Sequence, residues 1–173
     1  MNEKELLKGC KKNKLRYQKA LYDQYAPKML AVCYRYFSDL DRANDVLQDV
    51  FIKVFDKISD FRSEGSFEGW IRRITVHTCI NELRKNQKQM VELDENAIGT
   101  VELSNEELDT EYIMEMIREL PDQYREIFNL CGIEGYTFRE ASELLDTTEG
   151  NIRVRYHRAR KKLQELLNAY YTK

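Results

Sequence analysis

Arg153, Arg155, Arg158, Arg160, Lys161 and Lys162 crowd one short stretch near the C-terminus of this chain, with the single acid Glu149 ahead of them. Guanidinium and ammonium groups at that density hold phosphate oxygens and donate hydrogen bonds to base edges, a chemistry of binding in which no covalent bond changes. Between the cations Ile152, Tyr156, Ala159, Leu163, Leu166 and Tyr170 recur at three- and four-residue steps, so one stripe of a long helix faces a core. Asn151, Arg155, Arg158 and Lys162 are expected on another face, roughly opposite that stripe. A cationic helix with an apolar back suits the DNA major groove. A solvated face on an ordinary amphipathic helix is the commoner fate of a charge run, so the residues ahead of it have to decide.

A second group lies upstream. Trp70, Arg73, His77, Asn81 and Arg84 follow at spacings of three, four, four and three, and line one face of a helix. An aromatic plane, an amide and positive charge together can stack an unpaired base and hold its phosphates, a stack being worth about 1–3 kcal/mol. Phe61 and Phe67, at the edges of the polar loop SDFRSEGSF, could add stacking or wedge surface; each aromatic taken singly is more often a core residue.

Little here could make or break bonds. There are two histidines, no glycine-rich phosphate loop and no carboxylate or histidine at metal-ligand distance from His77. Cys10, Cys33, Cys79 and Cys131 stand singly with no C-x-x-C pair, which argues against a disulfide frame or structural zinc and reads as small apolar residues or inert thiols. No catalytic group, metal or cofactor is expected.

The elements that must position these groups read as helices. Thr137 with Glu140 forms a capping box, a short helix runs to Leu145, and Asp146-Thr147-Thr148 favours a turn before a longer helix begins at Thr148 or Glu149. Short helix, three-residue turn and basic helix make a helix-turn-helix, in which the second helix reads base edges. Upstream, one helix is expected from Lys14 to Tyr25. Pro27 opens a second over Lys28 to Phe37. A third, capped by Asp39 or Asp41, buries Ala43, Leu47, Val50, Val54 and Ile58 and shows Asp45, Gln48, Asp49 and Lys53; a fourth runs from Ser66 through Asn86.

From Gln89 to Glu111 there are eight acids and no lysine or arginine, so the net charge of −2 conceals basic blocks at Lys4 to Lys19, Arg72 to Lys88 and Arg153 to Lys162. That segment has weak periodicity and is expected to be a flexible acidic linker between domains at 14–88 and 112–170. Hydrophobic content of 42%, charged content of 34% and two prolines suit helical structure. The absence of an eighteen-residue apolar run, and of an apolar core in the first eighteen residues, argues against membrane insertion and for the cytoplasm.

The ordered set of segments resembles the extracytoplasmic-function (ECF) group of the sigma-70 family, bacterial transcription initiation factors reduced to two domains, region 2 and region 4. DRANDVLQDVFIKVF resembles the helix that grips the clamp coiled coil of RNA polymerase; FRSEGSFEGWIRRITVHTCINELRK resembles the segment that reads and opens the minus-ten element; LPDQYREIFNLCGIEGYTFREASELLDTTEGNIRVRYHRARKKL resembles region 4, which reads the minus-thirty-five element. The resemblance spans about Leu21 to Lys88 and Tyr112 to Leu167.

It implies an all-α fold of two small helical domains, with no enzymatic activity. It implies core polymerase contacts at Asp45, Gln48, Asp49, Phe51 and Phe55, and minus-ten contacts at Phe61, Arg62, Trp70, Arg73, His77, Asn81, Arg84 and Lys85. Minus-thirty-five contacts fall at Thr137, Arg139, Asn151, Arg153, Arg155 and Arg158. The implied partners are polymerase core, through its clamp coiled coil and flap, promoter DNA and an anti-sigma factor. The chain departs from the family pattern at Asp146, where glycine is usual, at Ala141-Ser142 and at Val154. An operator-binding helix-turn-helix regulator would use the same C-terminal residues, but it would need neither the Asp45/Gln48/Asp49 patch nor the Trp70 stripe.

Overall fold

The computed structural model describes residues 2–89 and 110–171, with side chains over 2–85 and 111–170. Among the described residues the chain is helical throughout its regular structure and falls into two compact units, Met1–Glu82 and Leu83–Lys173. Most of the acidic segment, 90–109, lies outside the described residues. Its two ends do not: Gln89 closes one helix, and Thr110 and Glu111 open the next.

The first unit begins with a helix the sequence patterning left unassigned. α1 spans Glu3–Cys10, capped by the Asn2 side chain, which accepts from the Glu5 amide at 2.8 Å, and it buries Leu6, Leu7 and Cys10. Gly9 permits this packing, because a Cβ there would sit 2.1 Å from the ring of Tyr17. α2 is one continuous helix, Leu15–Tyr36, with Pro27 inside it. The expected break is therefore absent. Proline removes one backbone hydrogen bond from a helix interior, but Leu21, Tyr25, Ala26, Met29, Val32, Cys33 and Tyr36 are buried on both sides of it and hold the axis together.

α3, Leu40–Lys57, starts at Asp39, whose carboxylate accepts from the Asp41 amide at 2.9 Å. It buries Ala43, Leu47, Val50 and Val54, as expected, and passes through a 3-10 turn, Ile58–Asp60, into the polar loop. Ser63 and Gly65 turn that loop with positive φ. The Ser66 hydroxyl then accepts from the Gly69 amide at 3.2 Å, which starts α4, Phe67–Gln89. All four cysteines are free thiols. Cys33 on α2 and Cys79 on α4 touch in the core, 3.8 Å apart at sulfur.

In the second unit α5, Thr110–Arg118, leads through Leu120-Pro121 to α6, Asp122–Ile127. The buried Arg125 guanidinium secures that corner: it donates to the carbonyls of Arg118 and Leu120 and pairs with Asp122. A π-helical segment, Phe128–Ile133, widens the chain before α7, Phe138–Leu144. α8, Glu149–Tyr171, closes the core with Ala159 and Leu163 against Met116, Ile117, Leu120 and Tyr124.

Candidate nucleic-acid interface

On α3 part of the expected patch lies at the surface. Asp45, Gln48 and Asp49 are exposed, and Ile52 stands among them at 59% exposure, completing an i, i+3, i+4, i+7 stripe. Ile52 was not anticipated; the same periodicity would have found it. Phe51, in contrast, is a core residue at 3% exposure, its ring 4.7 Å from Tyr22 and 6.0 Å from the half-buried Phe55. Helical geometry sets it beside Val50 and Leu47, so it supports the patch from beneath.

Behind that stripe Lys53 turns toward α4 and donates to the Thr78 hydroxyl at 3.3 Å, in place of the expected solvent face. Lys53 and Lys57, one turn apart, face Trp70, Arg73, His77 and Asn81 across an open groove of about 400 Å³, with Asp60 at its end and Ile74 and Thr78 in its wall. Of the five α4 residues named from their spacing, Trp70, Arg73, His77 and Asn81 come together here, and Arg84 does not. The two lysines are the part that spacing along α4 alone could not supply. His77 is pushed below the ordinary histidine value by burial first, then by the charges of Arg73 and Lys57. The groove thus holds a net positive field even with the imidazole neutral.

The loop aromatics are inside. Phe67 is fully buried and Phe61 is 6% exposed; their rings lie 5.0 Å apart and both pack on Trp70, Phe67 nearly parallel to the indole at 5.6 Å. Neither can act as a wedge. They fix the plane of the half-buried Trp70, which borders both the α3–α4 groove and a second groove of about 400 Å³ that includes Asp60, Arg62, Glu64, Ser66 and Arg73. Arg84, half-buried, and Lys85, exposed, sit on the turns of α4 that group with the second unit, and neither lines these grooves.

The helix-turn-helix forms as its residues dictate. The Thr137 hydroxyl accepts from the Glu140 amide at 3.2 Å while Glu140 accepts from the Thr137 amide at 2.8 Å. Asp146 occupies the left-handed region, φ 51°, at the turn, and Thr148 caps α8 by accepting from the Asn151 amide at 3.2 Å. Thr137 therefore has its side chain engaged in the cap. Exposed Arg139 pairs with Glu143 at 3.3 Å, and exposed Arg153 pairs with Glu149 at 3.1 Å and lies over the Phe138 ring. Asn151 and Arg158 project outward.

Arg155 does not share that outward face. It pairs with the buried Glu126 of α6 at 2.6 Å and donates to the Gln123 carbonyl at 2.8 Å. The cause lies in the helix period: Arg155 is three residues after Ile152 and four before Ala159, both fully buried, so it falls on the core stripe. Burial pushes the Glu126 carboxyl above the ordinary glutamate value, against the pull of Arg155.

Two family models match in the order of these units: "Sigma-70 region 2" over residues 21–89 and "Sigma-70, region 4" over 110–163. The chain belongs to the sigma-70 family, in its ECF group. The ECF RNA polymerase sigma-E factor of Haemophilus influenzae is 31% identical over 159 residues, 83% of this chain and 84% of that protein. The ECF sigma factor SigW of Bacillus subtilis is 29% identical over 168 residues, 85% and 87% of the two chains. Among solved structures, the sigma factor RpoE of Bartonella quintana, in complex with the anti-sigma factor NepR, has the same fold at a TM-score of 0.55 and 24% identity, over 87% of this chain and 96% of that one. The α3 stripe and both grooves thus lie in region 2 of a sigma factor, and the helix-turn-helix is its region 4. Among the described residues no helix is long and apolar enough to cross a membrane.

Proposed function

We propose that this sigma factor binds RNA polymerase core through the exposed Asp45, Gln48, Asp49 and Ile52 stripe of α3 and directs initiation at its own promoters by two DNA contacts. What carries this reading is one observation: α3 presents an acidic stripe that ends on the apolar Ile52 on one side and, through Lys53 and Lys57, half of a cationic groove on the other. A single helix can therefore couple polymerase to a DNA strand.

The groove suits a displaced single strand. Lys53, Lys57 and Arg73 would meet phosphates, Trp70 offers an aromatic edge held in plane by Phe61 and Phe67, and Asn81 supplies donor and acceptor for a base. Arg62, in the adjoining groove, would hold the base lifted from the stack. Stacking worth about 1–3 kcal/mol per base favours the open strand without any covalent step. In region 4, Asn151, Arg153 and Arg158 would enter the major groove while Arg139 meets the backbone. Thr137 and Arg155 serve by capping α7 and anchoring α8. The chain acts in the cytoplasm, where polymerase and promoter are, and an anti-sigma factor covering the α3 stripe would hold it inactive.

Core binding by Asp49→Ala and by Ile52→Asp, each measured against wild type, tests the assignment of faces. Both should weaken assembly with core polymerase at least tenfold and leave region 4 binding to duplex DNA unchanged. The reverse pattern would assign the faces wrongly.

A further inference from the structure

Val154 is 51% exposed on α8, the second helix of the helix-turn-helix. A β-branched residue at an exposed helix position gives no packing and is less favourable there than alanine. Its surroundings are particular. Asn151, three residues before, and Arg158, four residues after, are exposed on the same stripe, so Val154 is the apolar centre of a polar row. Gly150, one turn earlier, has nothing but its own helix backbone and chain neighbours within 4 Å of where a Cβ would be, which leaves the surface beside Val154 low and open. Its chain neighbour Arg155 is held inward by Glu126 and fixes the rotation of the helix that presents this row.

We propose that Val154 is a specificity-determining residue that reads the C5-methyl group of one thymine in the upstream promoter element. This rests on region 4 reading promoter DNA from the major groove. There thymine alone offers a methyl group, and an apolar side chain is what contacts it, whereas asparagine pairs with adenine and arginine with guanine. Asn151 and Arg158 on either side would set the register, so that the valine meets a single base pair between their contacts. The low relief at Gly150 lets the edge of the duplex approach closely.

The test uses the full chain assembled with core polymerase and a synthetic duplex library randomised over about ten upstream base pairs, one helical turn. Wild type should enrich a thymine at one position. Replacing that thymine by deoxyuridine, which lacks only the methyl, should weaken binding about three- to fourfold, the equivalent of about 0.8 kcal/mol for one buried methyl-sized group. Val154→Ser should bind the two duplexes equally, and Val154→Ile should keep the preference. Equal binding of thymine and deoxyuridine by wild type at every enriched position, or a preference that survives in Val154→Ser, overturns the role of the valine alone. Failure of wild type to enrich any upstream sequence overturns the reading of DNA by region 4, and this inference with it.

Discussion

At the scale of single residues, charge alone does not say which arginine meets DNA. Arg155 has the sequence context of a base reader, yet it pairs with a glutamate that would otherwise be buried without a partner. Removing one member of such a pair costs about 3–5 kcal/mol, because the partner left behind is a buried polar group with nothing to pair with. Arg155→Ala should accordingly speed hydrogen exchange across 149–163 by two orders of magnitude or more and leave α2 and α3 unchanged, while Arg158→Ala should weaken DNA binding with no change in exchange. His77 makes a different prediction. Its folded pKa lies below the ordinary 6.5, so the unfolded chain binds the proton better, and the stability His77 contributes is present above 6.5 and declines as pH falls below it. A phosphate in the groove opposes that shift and favours the imidazolium. Affinity of the holoenzyme for a labelled single-stranded minus-ten oligonucleotide should therefore rise as pH falls from about 7 toward 5.5, and His77→Gln should flatten the profile. A slope that persists in the variant would move the titration elsewhere.

At the scale of elements, patterning located what local chemistry controls. The Thr137–Glu140 capping box, the Asp39 cap and the turn at Asp146 form where their side chains compete for backbone groups, and the α3 core stripe follows from its spacing. Patterning misread the places where packing decides. Pro27 marks a helix start by its own stereochemistry, but buried residues on both sides carry α2 through it. Pro27→Ala should then stabilise region 2, by about 1–2 kcal/mol in urea unfolding, since alanine restores a donor for the Asp23 carbonyl and removes the interior penalty, less what proline contributes by restricting the unfolded chain. α1, only eight residues long, is too short for periodicity to announce and owes its existence to contact with α2, as Gly9 on Tyr17 illustrates. The site was legible in the same proportion. The spacing along α4 found Trp70, Arg73, His77 and Asn81; Lys53 and Lys57 come from another helix, and Phe51, Phe61 and Phe67 went to the core because an aromatic ring is worth more buried than exposed.

At the scale of the molecule, two helical units divide one task. Region 2 carries both the exposed α3 stripe and the cationic groove, and region 4 carries a helix whose outward row is set by an inward ion pair. The most direct measurement is run-off transcription from a genomic library with purified core polymerase, with and without this chain. Discrete transcripts should appear only when the chain is present, and they should vanish with Asp49→Ala at limiting concentration. Absence of any chain-dependent transcript, or failure of the chain to bind core, would contradict the account.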